Sequence, residues 1–90
     1  MKKLRFSHQF KKDFKRYRGM PKRVAELNRI LNILAAGNPI PSENYPHMLS
    51  GEYRGCFECH IGPDFLLIWK DEVEDVIYVL RLGSHSELFD

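Results

Sequence analysis

Long apolar runs are missing from this 90-residue chain. The most apolar uncharged stretch, Phe65 to Trp69, falls far short of the ~20 residues that cross a bilayer, so a membrane-spanning helix is excluded. The basic start Met1-Lys2-Lys3 leads into Arg5, Ser7, His8 and Gln9, where a signal peptide needs an apolar core. No membrane association is expected, and the chain reads as cytoplasmic. Cysteine is equally scarce. Cys56 and Cys59 are too few for a disulfide framework and suit a reducing compartment. Their C-x-x-C spacing falls on a strand, where residues three apart point to opposite faces, so both are expected as ordinary reduced thiols. Also missing are H-E-x-x-H, a second cysteine pair, a phosphate-binding glycine loop, G-x-S-x-G and the dinucleotide fingerprint. No cofactor and no metal site are expected.

Repeats, low-complexity tracts and linkers are absent too, and a chain of this length has room for one core, so residues 1–90 form a single domain. With 43% hydrophobic and 29% charged residues the chain is globular rather than disordered.

Charge is present and unevenly placed. Residues 1–30 hold eleven Lys and Arg against two acids, Asp13 and Glu26, whereas residues 31–90 hold three basic residues against ten acids. A basic first third is either a polyanion-binding face or a solvated, solubilising one.

Leu4 and Phe6 alternate with Lys3 and Arg5, the period of a short strand over residues 2–6. Ser7 suits an N-cap for a helix to about Tyr17, with Phe10, Phe14 and Tyr17 on one face and Lys11, Lys12, Lys15, Arg16 and Arg18 on the wet side. Gly19 ends it, and Pro21 opens a second helix in which Val24, Leu27, Ile30, Leu31 and Leu34 keep a helical period up to Gly37. Residues 38–46, with three prolines, read as an ordered loop. Tyr53 to Ile61 alternates as a half-buried strand, Gly62-Pro63-Asp64 turns it, and Phe65 to Lys70 returns antiparallel. An acidic turn containing Asp71, Glu72, Glu74 and Asp75 precedes a last strand from Val76 to Leu82, followed by an irregular tail after Gly83. The order is β-α-α-β-β-β: an α+β domain with a helical hairpin on a mostly antiparallel four-stranded sheet. Phe10, Phe14, Val24, Leu27, Leu31 and Leu34 should pack on Phe57, Leu67 and Val79.

His8, near the start of a helix, reads as a surface residue. His47, His60 and His85 all fall at loops or strand ends, as does Asp64, and such positions carry function more often than strand centres do. Two chemistries use these residue types. In metal-free RNA cleavage the 2′-hydroxyl attacks the adjacent phosphorus, a base takes its proton, an acid protonates the leaving 5′-oxygen and a cation holds the phosphate. His47, His60, His85 and Asp64 are the candidates for proton transfer, Arg54 and Arg81 for the phosphate, and Phe65 and Phe89 for stacking on a base. A metal site is the second possibility, although the spacings match no ligand signature.

Three sequence blocks join these residues. They are Pro46-His47-Met48-Leu49-Ser50-Gly51; Tyr53-Arg54-Gly55 with Glu58-Cys59-His60-Ile61-Gly62-Pro63-Asp64; and Arg81-Leu82-Gly83-Ser84-His85-Ser86-Glu87-Leu88-Phe89. Together with Leu67-Ile68-Trp69, they resemble the YafQ branch of the RelE-like toxins of bacterial type II toxin–antitoxin systems, from the first strand to the end of the chain. The resemblance implies a β-α-α-β-β-β fold and a ribosome-dependent mRNA interferase that cuts mRNA in the A site and arrests translation. It places the family's catalytic residues on His47, His60, Asp64, His85 and Phe89, with Glu58 in support and Phe65 in place of a tryptophan. It gives the basic residues Lys11, Lys12, Lys15 and Arg16 a partner in rRNA and mRNA phosphates. It also implies a cognate antitoxin that wraps the toxin, operator DNA reached only through that antitoxin, and a toxin that is monomeric when free. The alternative is a toxin-derived module that binds RNA or protein and cuts nothing.

Overall fold

Ser7 closes the first helix at its N-terminal end, where backbone N–H groups lack helical partners. Its hydroxyl accepts from the Phe10 N–H at 2.9 Å and donates to the Leu80 carbonyl at 2.8 Å, tying helix start to sheet. The computed structural model describes residues 1–72 and 75–89. Strand β1 (Lys3–Phe6) leads into α1 (His8–Phe14) and then α2 (Pro21–Ala35), with Pro21 in the first turn as expected. Helix α1 stops at Phe14 rather than near Tyr17. The N–H groups of Arg16 and Tyr17 bond carbonyls three residues back, a tighter turn that still buries Tyr17.

The sheet runs β1-β5-β4-β3-β2, with β2 (His47–Met48), β3 (Phe57–Gly62), β4 (Phe65–Glu72) and β5 (Val76–Gly83). Among the described residues only β1 pairs parallel, with β5, and the other pairs are antiparallel. The α+β class holds, but the described strands number five, not four. The extra one, β2, is two residues long, too short to show an alternation, and it pairs His47 with Glu58. The strand expected from Tyr53 begins only at Phe57. Residues Gly51–Tyr53 form a 3₁₀ turn, and Gly55 at φ 89° turns the chain where a strand would continue. A second 3₁₀ turn, Ser42–Asn44, occupies the proline-rich loop. Asp71 and Glu72, expected in the acidic turn, extend β4; Glu74 lies outside the described residues.

Leu27, Ile30, Leu31 and Leu34 of α2 and Phe10 of α1 pack on Cys59, Ile61, Leu67, Trp69, Ile77 and Val79. Phe14 and Phe57 pack at the edge of this core, while Val24 is half-buried outside it. The other sheet face carries a smaller cluster of Cys56, Leu66, Ile68 and Leu88. The two free thiols therefore sit in separate clusters. Leu88 belongs to a short helix α3 (His85–Phe89), where the sequence suggested an irregular tail. Its start is a capping box. The Ser84 hydroxyl accepts from the Glu87 N–H at 3.2 Å, and Glu87 Oε1 accepts from the Ser84 N–H at 2.8 Å. A β-carbon on Gly83 would stand 2.7 Å from that same Oε1, so only glycine fits before the helix.

Asp13 is buried at 1% exposure although it reads locally as an ordinary helix acid. Strand β1 ends opposite Val79, so the Leu82 N–H beyond it has no strand partner. The Asp13 carboxylate takes that N–H at 3.0 Å and receives Arg81 Nε at 2.8 Å. Arg81 Nη1 in turn donates to the Tyr53 hydroxyl at 3.0 Å, which donates to the Leu88 carbonyl at 3.4 Å. This chain of contacts runs from α1 under the sheet end to α3.

Candidate active site

The turn after β3 puts Asp64 in a left-handed conformation, φ 48°, with its carboxylate toward α3. Oδ1 receives the His85 backbone N–H at 2.9 Å and lies 2.8 Å from His85 Nδ1. The backbone contact first, and then the ring contact, hold the Asp64 carboxyl below the usual carboxylate range. An ionised carboxylate only accepts, so Nδ1 carries the proton and Nε2 is left as the exposed nitrogen of His85. Asp64 was expected among the proton-transfer groups, either as a base or as the carboxylate that orients a histidine, and both of its contacts go to His85.

α3 holds His85 in place through Glu87. The Tyr17 hydroxyl donates to Glu87 Oε1, and Arg16 Nη1 lies 3.1 Å from Oε2. The Tyr17 contact, followed by the Ser84 N–H, lowers the Glu87 pKa, while burial first and Glu87 second push Tyr17 up to about 12.

His47 and His60 converge on Glu58, which is 3% exposed. Glu58 and His60 share one face of β3, as the alternation required, and the β2–β3 pairing sets His47 opposite Glu58. His47 Nε2 lies 3.2 Å from Glu58 Oε1, and His60 Nε2 3.9 Å from the same oxygen. Glu58 Oε2 is buried and makes no hydrogen bond to a described residue. On its other side, His47 Nδ1 donates to the Tyr45 carbonyl at 2.8 Å. A carbonyl accepts only, so Nδ1 carries a proton and Nε2 is the nitrogen turned to Glu58. Asn44 steadies the neighbouring histidine by donating Nδ2 to the His60 carbonyl at 2.8 Å.

Four rings stand in a row across these two groups. Tyr45 meets His60 edge-on at 5.6 Å, His60 meets His85 edge-on at 5.8 Å, and Phe89 lies 6.2 Å from His85. His47 of β2, His60 of β3, Asp64 of the β3–β4 turn and His85 and Phe89 of α3 thus come together over the buried Glu58, with His60 inside its strand rather than at the strand end expected.

Other candidates do not join them. Phe65 is 1% exposed, packed on Tyr17 at 4.7 Å beneath the Arg23 guanidinium, so it cannot receive a base. Alternation through a bulged turn between His60 and Gly62 directs it into the core. Arg81 is not an open phosphate clamp, because Nε and Nη2 are held by Asp13 and Nη1 by Tyr53. Arg54 is exposed just after the Gly51–Tyr53 turn, and none of the hydrogen bonds or ion pairs among the described residues joins it to the histidines. Lys11, Lys12, Lys15 and Arg16 are exposed on and just after α1, with Arg16 tied to Glu87. Asn44, Tyr45, Tyr53, Asp13 and Glu87 are supports the sequence did not reveal. Of these only Glu87 had a readable signal, the Ser-x-x-Glu spacing of its capping box.

The chain is 29% identical over 87 residues to the mRNA interferase toxin YafQ of Escherichia coli K12, covering 96% of this chain and 94% of that one. It superposes on YafQ in the DinJ–YafQ complex of Escherichia coli with a TM-score of 0.87, at 27% identity and full coverage of both chains. A copper-bound mutant toxin from Helicobacter pylori gives a TM-score of 0.88 at 36% identity, covering 99% of this chain and 100% of that one. Among the described residues here, no three His, Cys, Asp or Glu side chains are placed to hold a metal ion. The model of the YafQ family, described as bacterial toxins of type II toxin–antitoxin systems, matches residues 2–90, and the chain belongs to that family.

Proposed function

We propose that this protein is an mRNA interferase, an endoribonuclease that cuts mRNA in the ribosomal A site by attack of the substrate's own 2′-hydroxyl. The observation that carries this reading is the Asp64–His85 pair, which fixes one imidazole tautomer and aims its Nε2 outward beside His60. His60 takes the 2′-hydroxyl proton. The 2′-oxygen bonds phosphorus as the bond to the 5′-oxygen breaks, and the His85 imidazolium gives that oxygen its proton from Nε2. His47, held against Glu58 at 3.2 Å, stands beside the phosphate as a polar contact that Arg81 cannot supply. The products are a 2′,3′-cyclic phosphate and a 5′-hydroxyl.

The partner is a cognate antitoxin, as DinJ is for the Escherichia coli toxin. A groove of about 400 Å³ between α1 and α2 suits it. Phe6, Phe10, Phe14, Leu27 and Leu31 line the groove, and Lys11, Lys15 and Arg18 supply its charge. An amphipathic antitoxin helix with acidic flanks complements both features. With the antitoxin released, Lys11 and Lys15 join the other basic residues of the first third in facing rRNA and mRNA phosphates, and operator DNA is reached through the antitoxin.

Induced expression should arrest growth, co-expression of the cognate antitoxin should restore it, and His85→Ala should abolish the arrest. Cleaved transcripts should carry 5′-hydroxyl ends. A His85→Ala variant that arrests growth as the wild type does would leave only a binding module.

A further inference from the structure

With Phe65 buried, the aromatic surface at the site belongs to other residues. We infer that Tyr45 is a base-stacking residue, receiving the base of the nucleotide whose 2′-hydroxyl attacks, at the opposite end of the site from the stacking candidate Phe89. This rests on the assignment of His60 as base and His85 as acid.

Among the described aromatic residues that touch the histidines, Tyr45 and Phe89 are the exposed ones, at 66% and 44%. They flank the cluster from opposite ends. Tyr45 lies against His60 and hands its carbonyl to His47 Nδ1, whereas Phe89 lies against His85. Tyr45 also sits at φ 50° and ψ 55°, a left-handed conformation that a bulky residue rarely adopts, fixed here by the Ser42–Asn44 turn before it and the His47 contact after it. The ring is thus held in water beside the proton acceptor by a backbone that would relax more readily with glycine or asparagine. The 2′-hydroxyl deprotonated from the His60 side belongs to the nucleotide 5′ of the cut, and the 5′-oxygen protonated from His85 belongs to the nucleotide 3′ of it. Each ring therefore addresses a different base. Stacking of this kind tolerates every base but favours large ones, because it scales with overlap.

The test is cleavage of ribosome-bound mRNA by the full chain, with 5′ ends sequenced. Tyr45→Asn removes the ring yet tolerates the left-handed backbone. It should lower kcat/KM about 10-fold, chiefly through KM, consistent with loss of one base–aromatic stack. It should also erode any purine preference at the nucleotide 5′ of the cut. Tyr45→Phe should restore the wild-type base distribution, and Phe89→Leu should alter the distribution 3′ of the cut instead. If Tyr45→Asn leaves both rate and distribution within twofold of wild type while His85→Ala is inactive, the stacking role is wrong and the cleavage reading stands. If His85→Ala cleaves as well as wild type, both fall together.

Discussion

Asp13 and Arg81 are 68 residues apart in the chain and meet through a hydrogen bond of 2.8 Å at the end of the sheet. The carboxylate is 1% exposed, and its charge is balanced by the guanidinium and by the Leu82 N–H. Arg81→Ala would strand that carboxylate in a buried place. A destabilisation of ~3 kcal/mol is expected, read from the urea midpoint. A loss below ~0.5 kcal/mol, with cleavage abolished, would return Arg81 to the role of phosphate clamp.

The Glu87 anchor makes α3 sensitive to acid. Folding lowers the Glu87 pKa, chiefly through the Tyr17 hydroxyl and the Ser84 N–H. A group lowered in this way stabilises the fold above its unfolded value of ~4.3, and that contribution is lost as pH falls through the lower folded value. Below about pH 4 the Leu88 amide, which bonds the Ser84 carbonyl, should lose protection from hydrogen exchange. At pH 7, Glu87→Ala should cost ~1 kcal/mol as a lost cap. Unchanged Leu88 protection in that variant would contradict the anchor.

Glu58 is expected to matter through His47 rather than through its own proton transfer. Glu58→Gln keeps the shape and removes the carboxylate that His47 Nε2 faces at 3.2 Å, so the ring should be held less firmly. Single-turnover cleavage should fall about 10-fold with the fold intact. A rate within about twofold of wild type would show that the contact is only structural.

Lys11, Lys12 and Lys15 project from the α1 side of the molecule and take no direct part in the chemistry. Neutralising all three should weaken ribosome association, and the difference from wild type should shrink as salt rises, because counterion release supplies the binding. Equal affinity at low salt would make the patch a solubility feature.

What was legible in the sequence follows from periodicity. Helix α2 declared itself through Leu27, Ile30, Leu31 and Leu34, and β3 through the alternation that put Glu58 and His60 on one face. The three histidines stood out by residue type, and His47 and His85 also by their places at the starts of β2 and α3, whereas His60 lies inside β3. The rest depended on long-range geometry. Nothing local distinguishes Asp13 from a solvated helix acid, since its burial comes from β1 ending early beside β5. Arg81 and Phe65 look like ligand-binding residues until the fold brings Asp13 and Tyr17 to them. Tyr45 sits in a proline-rich loop without period, and only the pairing of β2 with β3 carries it to His60.

The most direct test of the site is the single-turnover rate at which His85→Ala cleaves ribosome-bound mRNA, set beside the wild-type rate. Loss of the proton donor should slow cleavage by about 10²-fold or more, with the fold intact by circular dichroism. Cleavage within about threefold of wild type would contradict the assignment of His85 as the acid.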